Sequence, residues 1–411
     1  MTQGTSRSEG RPPVILLGAN VVTAMSIIRS LAHAGVDVHL LCREGAAPSY
    51  SKYARRVPLS ASLPQQQAWL RFLSGPESES LRGAVLLACN DDGIELLLEH
   101  REELAALYRL DISDTVAQRA MLDKLATYRL AAAAGVATPR FWSAGSEEEI
   151  LAHRDEYEFP LMVKPLRSHE FKRVHTGKYF MAADVDELLA AWRKTSEHGI
   201  DVVLLEVIPG PDDLLCSYYT YLDESGSPQF HFTKRVIRRY PEHEGFGCFH
   251  VTDWNPEVRD LGLRLFQHAG LRGVANVEFK RDPRDGLLKL IEVNARFTAA
   301  NGLVTASGYD LARFVYERVA GLPSAPWDGR PYRTGLHLWY PLDDFLAFLE
   351  LRKRGDLGLG GWLRSVAHYP VLPYFSAADP RPSLMRLKGQ TRTLAAAGVR
   401  RIAARWTSDA A

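Results

Sequence analysis

Residues 13–120 alternate between short, continuously apolar runs and longer stretches in which apolar residues recur at helical spacing. Three of the apolar runs fit strands that are buried on both faces: PVILLG (13–18), VDVHLLC (36–42) and GAVLLACND (83–91). Helical spacing covers residues 21–33, 65–74 and 94–108. Strands that alternate with crossover helices predict a parallel sheet. We therefore expect an α/β domain over 13–120, after a disordered leader at 1–12.

Beyond residue 120 several strand-like runs follow one another more closely, a pattern typical of α+β structure. A helix that begins near residue 122 should stop at Gly135, with Pro139 soon after it. GVANVEFKR (273–281) and LLKLIEVNAR (287–296) flank the turn sequence DPRDG and predict a hairpin. Further strands are expected at 159–166, 202–210, 214–222 and 228–237, and further helices at 184–198, 257–268 and 309–320.

The composition changes again after Pro323, which divides a domain over 121–322 from a C-terminal extension over 323–411. Residues 323–383 are rich in Pro, Gly, Trp and Tyr, and residues 384–406 return to helical spacing. This last helix could dock its basic face on a membrane or nucleic acid, but the interpretation we favour is that it packs on its own protein. Its basic residues are Arg386, Lys388, Arg392, Arg400, Arg401 and Arg405.

Charge and cysteine usage narrow the class of protein. The 411 residues carry a net charge of +1, which argues against a general nucleic-acid binder. The four cysteines are far apart and form no CxxC pair, so we expect neither a zinc ribbon nor a disulfide framework. The N-terminus lacks a signal-peptide core and no apolar run is long enough to span a bilayer. A cytoplasmic protein is expected.

The sharpest candidate site lies in the predicted hairpin. Strand alternation points Glu292, Asn294 and Arg296 to one face, and Glu278 joins them if the two strands pair. Two carboxylates and an amide oxygen are hard ligands that suit Mg²⁺, and an adjacent arginine suits an anionic substrate. A solvated strand face with ion pairs is an equally good interpretation of these residues alone.

Three further segments could contact a nucleotide, although each also has an ordinary structural explanation. Lys164 follows an apolar run and precedes Pro165, where it could reach a phosphate or simply extend to solvent. LLEVIPGPDD (204–213) could present backbone groups to an adenine edge or form a plain turn. TKRVIRRYPEHEGFGC (233–248), with a flexible loop at Gly245 and Gly247, could clamp a triphosphate or a carboxylate, or be an exposed basic strand.

Together these segments resemble the ATP-grasp superfamily over residues 120–320, and most of all its carboxylate–amine ligases, the branch that includes D-aspartate ligase. Biotin carboxylase and carbamoyl phosphate synthetase are more distant. The resemblance implies a pre-ATP-grasp α/β domain, an ATP-grasp domain and a C-terminal extension. It rests on the order Lys124, Lys164, Glu206, Lys234–Arg235, Glu278 and then Glu292-Val-Asn294-Ala-Arg296.

The resemblance also implies roles for individual residues. Phosphate contacts fall to Lys124, Lys164 and Lys178, the adenine hinge to Glu206, Val207 and Ile208, and the ribose to Asp213. Glu278, Glu292 and Asn294 would bind two Mg²⁺ ions, with Mn²⁺ as an alternative. Lys234 and Arg235 would lie near the γ-phosphate, and Arg296 would hold the acyl phosphate.

The activity implied is ATP-dependent ligation of a small carboxylate to an amine through an acyl phosphate. Small molecules are the expected partners, without nucleic acid or a membrane span, and a homodimer is left open. The alternative is a non-catalytic or regulatory ATP-binding protein, which would not need the complete metal and acyl-phosphate set. A dinucleotide-binding enzyme is disfavoured because LGANVVTAM (17–25) lacks the G-x-G-x-x-G pattern.

One segment departs from the pattern of the superfamily. RSHEFKRVHTGK (167–178) contains a single glycine where a glycine-rich phosphate loop is usual. We expect this segment to be a mobile lid that uses Arg167, Lys172 and Lys178 in place of glycine amides. The alternative is a fixed, solvated hairpin whose charges never meet ATP.

Overall fold

The computed structural model describes residues 10–167, 171, 174, 175, 177–324 and 331–391. Most of the expected leader therefore lies outside the described residues, as do Lys172 and the basic positions from Arg392 onward. The strands are β1 (Val14–Leu17), β2 (Val38–Leu41), β3 (Arg55–Val57), β4 (Val85–Ala88), β5 (Arg109–Leu110), β6 (Phe141–Ser143), β7 (Leu161–Pro165), β8 (Phe180–Ala182), β9 (Val202–Glu206), β10 (Leu215–Leu222), β11 (Phe232–Tyr240), β12 (Phe246–Thr252), β13 (Gly273–Arg281), β14 (Leu288–Asn294) and β15 (His337–Trp339).

The helices lie between and after these strands, and residues 381–391 are also helical. They are α1 (Val21–His33), α2 (Gln65–Ser74), α3 (Asp91–Glu99), α4 (Arg101–Ala105), α5 (Thr115–Leu122), α6 (Lys124–Ala133), α7 (Glu147–Ala152), α8 (Val185–Ser196), α9 (Pro256–His268), α10 (Asn301–Ser307), α11 (Leu311–Ala320), α12 (Pro341–Arg354) and α13 (Leu359–Val366).

The first sheet has the order β3-β2-β1-β4-β5, and all of its pairs are parallel. Successive residues of β1 enter different apolar cores: Val14 and Leu16 pack with α1, whereas Ile15 and Leu17 pack on the side of α2 and α3. Burial on both faces explains why these strands are continuously apolar in sequence. The predicted parallel α/β sheet is confirmed.

Two antiparallel sheets follow. One has the order β6-β9-β7-β8 and is packed against α8, and the other has the order β14-β13-β10-β11-β12-β15. The predicted hairpin is present, with β13 paired antiparallel to β14. One face of the larger sheet packs on α9 through Tyr218, Val277 and Phe279. The opposite face carries the polar residues described below.

Two local predictions differ from the structure. The helix expected over 94–108 is divided at His100 into α3 and α4. The glycines of GFGC predict a flexible loop, yet β12 begins at Phe246, because pairing with both β11 and β15 overrides the low strand propensity of glycine. The division of the chain near residue 120 remains a proposal, since one apolar core contains β1 and α1 together with residues of α10 and α11.

Candidate active site

Two adjoining cavities open between the antiparallel sheets and the first sheet. The larger, of about 400 Å³, is lined from β7, β8 and the segment after β9 on one side and from β11 and β13 on the other. The smaller, of about 220 Å³, is lined from α6, β14 and Asp91. Tyr128 and Ile291 line both cavities, so the two are parts of one cleft.

The segment after β9 forms one wall of the larger cavity. It is lined by Glu206, Val207 and Ile208, the three residues to which the resemblance assigns an adenine hinge. The buried Lys280 Nζ donates hydrogen bonds to the carbonyl oxygens of Ile208, at 3.0 Å, and Gly210, at 2.8 Å, and thereby fixes the segment. The Glu206 carboxylate is engaged elsewhere: it accepts from the backbone N–H of Arg140 at 2.9 Å and pairs with Arg284 at 2.6 Å.

The opposite rim is the turn between β11 and β12. Asp212 is buried and accepts from the His243 backbone N–H at 2.9 Å. Arg239 lines the cavity beside it, and its buried Nε has no hydrogen-bond partner within the described residues. A buried donor without a partner is costly, so this atom marks a place where an anionic ligand would be favourable. Lys178 donates to the Gly245 carbonyl at 3.1 Å, which joins the segment before β8 to this turn.

Asp213, to which the resemblance assigns the ribose, does not line the larger cavity. It lines a separate cavity with Cys216 and Arg235, whereas its neighbour Asp212 lines the larger cavity. Residues 212–214 form a single turn of 3-10 helix, in which consecutive side chains diverge by about 120°. Asp213 is therefore not included in the proposed site.

A row of polar side chains crosses four neighbouring strands and ends at the smaller cavity, which Glu292 lines. In the register, Ser217 on β10 lies opposite both Lys234 on β11 and Glu278 on β13, and Glu278 lies opposite Glu292 on β14. The buried Lys234 Nζ contacts Ser217 Oγ at 3.2 Å. The sheet thus brings Glu278 and Glu292 together, as the sequence predicted.

Asn294 extends this acidic group. Its Nδ2 donates to Asn276 Oδ1 at 3.2 Å and to Glu292 Oε1 at 3.3 Å, so its Oδ1 is the atom that can serve a cation. Carboxylate and amide oxygens of this kind are ligands that Mg²⁺ prefers. The donor set therefore fits a magnesium site formed by Glu278, Glu292 and Asn294.

The protonation equilibria of these groups reflect their burial and their neighbours. Burial, together with the charge of Glu292, raises the pKa of Glu278. Burial would also raise the pKa of Glu292, but Lys164, Lys124 and Lys178 outweigh it and hold that pKa below its usual value. Burial and the neighbouring Lys164 lower the pKa of Lys124 to about 8. The cleft is thus a desolvated site with several cations around a carboxylate pair.

Arg296 lies where the first sheet meets the larger antiparallel sheet. Its guanidinium makes a two-pronged contact with the Asp91 carboxylate, and the bond from Nη2 to Asp91 Oδ2 is 3.1 Å long. Asp91 is the first residue of α3, directly beyond the carboxyl end of β4, where open parallel sheets commonly bind ligands. Both side chains line the smaller cavity, next to Glu292 and Asn294.

The predicted pair Lys234–Arg235 is divided by the sheet. Because successive strand residues point to opposite faces, Lys234 faces the acidic row while Arg235 faces the other side. There Arg235 is 47% exposed and lies 3.5 Å from Asp253. Arg235 lines neither cavity of the cleft, so we leave it out of the proposed site.

Sequence reasoning missed several residues of the cleft. Lys280 could have been found by alternation, since it lies two residues after Glu278 on the same strand face. Asp91 could have been found from its place after a parallel strand. Arg239 belongs to a basic segment that the sequence singles out, but it could not be assigned a face, because an irregularity in the pairing of β11 with β12 near Arg238 alters the alternation.

Comparison with solved structures reveals the fold. The biotin carboxylase domain of Hydrogenobacter thermophilus 2-oxoglutarate carboxylase, solved with MgADP, ADP and bicarbonate, superimposes with a TM-score of 0.61 at 16% identity, over 79% of this chain and 73% of that one. The two chains therefore share a fold. A second solved structure, the L-amino acid ligase of Bacillus licheniformis, gives a TM-score of 0.56 at 18% identity, over 77% of this chain and 76% of that one.

Curated relatives agree with the resemblance seen in the sequence. D-aspartate ligase of Enterococcus faecium is 25% identical over 261 residues, which are 61% of this chain and 62% of that protein. D-alanine–D-alanine ligase of Pseudomonas putida (strain GB-1) is 33% identical over 187 residues, 44% of this chain and 57% of that protein. The chain thus spans about three fifths of the length of these relatives. No protein-family profile matches the chain.

Proposed function

We propose that the protein is an ATP-dependent carboxylate–amine ligase that acts through an acyl phosphate. The observation that carries the proposal is the carboxylate pair Glu278–Glu292, which lies among Lys124, Lys164 and Lys234. Glu292 lines the cavity of about 220 Å³, which adjoins the cavity of about 400 Å³. Such a pair beside a nucleotide-sized cavity is what a metal–triphosphate complex requires. Relatives that are themselves named as ligases support the same activity.

The proposed nucleotide site uses the larger cavity. Adenine would contact the backbone of Glu206, Val207 and Ile208, which Lys280 fixes in place. Lys164, Lys124 and Lys178 would contact the phosphates. Arg239 would supply the donor that now has no partner within the described residues.

The proposed metal site consists of Glu278, Glu292 and Asn294, with Mg²⁺ as the ion and its number left at one or two. A bound magnesium ion would neutralise the charge of the β- and γ-phosphates. Lys234 on β11 would balance the charge of Glu278 on β13, since the two lie on either side of Ser217 on β10. These groups are held in place before substrate arrives, so little reorganisation is needed during the reaction.

The reaction would proceed in two steps at the border of the two cavities. An oxygen of the carboxylate substrate attacks the γ-phosphorus, the bond to the bridging oxygen of ADP breaks, and an acyl phosphate forms. The amine then attacks the acyl carbon, loses a proton, and phosphate leaves. Arg296 would hold the anionic acyl phosphate, and exclusion of water from the cleft would favour attack by the amine over hydrolysis.

The cellular compartment of the protein is proposed from its cysteines. Its four cysteines are all unpaired and buried, which is typical of a reducing compartment, and we propose the cytoplasm. No helix among the described residues is long and apolar enough to cross a membrane.

The domain division at 120 and 322 remains a proposal. We also propose that the protein forms a homodimer, because the biotin carboxylase domain of similar fold was solved as a dimer.

The test is an ADP-release screen with MgATP and a panel of amino acids and small carboxylates. The proposal requires ADP and phosphate release that depends on one acid and one amine, with mass spectrometry identifying an amide product of matching mass. The alternative, a non-catalytic ATP-binding protein, predicts nucleotide binding by calorimetry without substrate-dependent ADP release from any combination.

A further inference from the structure

Large exposed apolar side chains are concentrated near the end of the described chain. Of the sixteen that are exposed among the described residues, eight lie between Phe345 and Leu387. Exposed apolar groups that lie together usually mark an interaction site, whereas single ones are ordinary. The members on helices define what we call the C-terminal apolar surface: Phe345, Leu349, Leu359, Leu363, Leu384 and Leu387.

Packing contacts join the helices that carry this surface. Trp362 on α13 stacks on Phe348 of α12 at a centroid distance of 4.8 Å and meets Phe345 edge-on at 5.8 Å. On each of these two helices the exposed residues are four positions apart and so lie on one face. Helix α13 contains no buried residue. The helical residues 381–391 attach to the start of α12 where Gln390 donates to Asp343 at 3.4 Å.

The charged residues around this surface are mostly basic. Among described residues 341–391, Asp356 is the one exposed acid, and it already pairs with Arg354 at 2.9 Å. The exposed basic residues of the same region are Arg352, Lys353, Arg354, Arg364, Arg381 and Lys388. The C-terminal apolar surface therefore consists of leucine and phenylalanine side chains, and the exposed charged residues of the same region are mostly basic.

We propose that the C-terminal apolar surface binds an anionic lipid membrane at its interface. Leucine and phenylalanine side chains would enter the boundary between headgroups and acyl chains, while lysine and arginine meet the anionic headgroups. A second copy of the chain fits less well, because it would bring two basic surfaces together. Nucleic acid would use the charges but leave the leucines exposed. This peripheral binding does not depend on the proposed ligase activity.

The first test uses the full-length chain with vesicles of phosphatidylcholine alone or mixed with phosphatidylglycerol, measured by co-flotation. Binding to the mixed vesicles is expected to be clearly stronger. Leu363→Asp should weaken it at least about tenfold, because a leucine that enters the membrane is replaced by a charge that anionic lipid repels. Leu287→Asp is the matched control, since Leu287 is 51% exposed and Leu363 50% exposed, and it should bind like the parent chain.

The second test addresses charge. Lys353→Gln and Arg364→Gln should each weaken vesicle binding about fivefold, with added salt weakening the parent as well. Lys194→Gln, on an exposed face of α8, should have no effect. Thermal unfolding checks that each variant is folded. Absence of binding to either vesicle, or equal losses for Leu363→Asp and Leu287→Asp, would overturn the proposal. So would a dimer of the parent chain in solution that Leu363→Asp dissociates.

Discussion

Side chains of like charge that lie opposite each other on neighbouring strands repel unless a cation lies nearby. Glu278 and Glu292 have this arrangement in a buried setting, and the protein supplies Lys164, Lys124 and Lys234 around them. Such an arrangement contributes little to stability, because burial of each charge is costly. In the proposed magnesium site the same arrangement would provide oxygen ligands for the metal ion.

Glu292→Gln should abolish most of the turnover while leaving the fold intact. The substitution keeps the shape of the side chain but removes one charge from the proposed magnesium site, so we expect a loss of ADP release of at least about 100-fold. Glu197→Gln, an exposed position after α8, serves as the control. A folded Glu292→Gln protein with full activity and ordinary magnesium dependence would contradict the assignment.

Lys164→Ala should weaken ATP binding. Lys164 lies on β7 at the wall of the larger cavity, and burial lowers the pKa of its ammonium group, so a phosphate contact there is poorly screened by water. We expect a loss of about 1.5–3 kcal/mol in calorimetric titrations with MgATP. Lys194→Ala on the exposed face of α8 is the control, and equal affinities for the two variants would refute the phosphate contact.

At the scale of single elements, sequence patterns predicted the type and order of the helices and strands well. They predicted less well which side chains of a strand face the cleft. Continuous apolar runs identified β1, β2 and β4, and the DPRDG turn identified the hairpin of β13 and β14, because these signals are local. Whether a residue on β11 faces the cleft depends on its register with β12, which is interrupted near Arg238. That register is set by tertiary packing, so Arg239 could not be assigned a face from the sequence.

The alternation of β11 gives a direct comparison of two adjacent cations. Lys234→Ala should reduce ADP release at least about tenfold, because it leaves Glu278 without its neighbouring positive charge. Arg235→Ala should change it less than about twofold, since Arg235 is on the opposite face and half exposed. A larger effect of Arg235→Ala than of Lys234→Ala would show that the face assignment is wrong.

A buried carboxylate of the C-terminal extension, that of Asp344, bonds a residue of β11. Asp344 is fully buried and accepts hydrogen bonds from Arg238, at 2.6 Å, and from the indole N–H groups of Trp339 and Trp362, each at 3.0 Å. Asp344→Ala should cost about 3–5 kcal/mol in the free energy of unfolding, because it leaves Arg238 buried without its partner.

Urea unfolding measures this loss. The neighbouring Asp343→Ala is the control: Asp343 is only partly buried, so a loss below about 1.5 kcal/mol is expected. Equal midpoints for the two variants would mean that Asp344 does not hold the extension in place.

For the whole molecule, the structure modifies the simple picture of independent domains. The sequence placed a boundary near residue 120 because the alternation of strands and helices ends there. Yet α1 packs on α10 and α11, and its residues Met25 and Ile28 share one core with Leu303 and Val315. A change in the sequence pattern marks a change in topology, but it does not show how far a hydrophobic core extends. The contacts of α1 with α10 and α11 join distant parts of the chain and therefore could not be predicted from the pattern.

This shared core predicts that residues 121–411 do not fold without residues 1–120. Removal of the first sheet would expose fully buried side chains such as Leu303, Val304 and Val315, each worth about 1.5–3 kcal/mol. A few such losses approach the whole stability of an ordinary domain, about 5–15 kcal/mol. The fragment 121–411 should therefore aggregate or lack a cooperative thermal transition by circular dichroism, whereas the full chain melts cooperatively. A fragment that unfolds cooperatively near the melting temperature of the full chain would instead establish residue 120 as a true domain boundary.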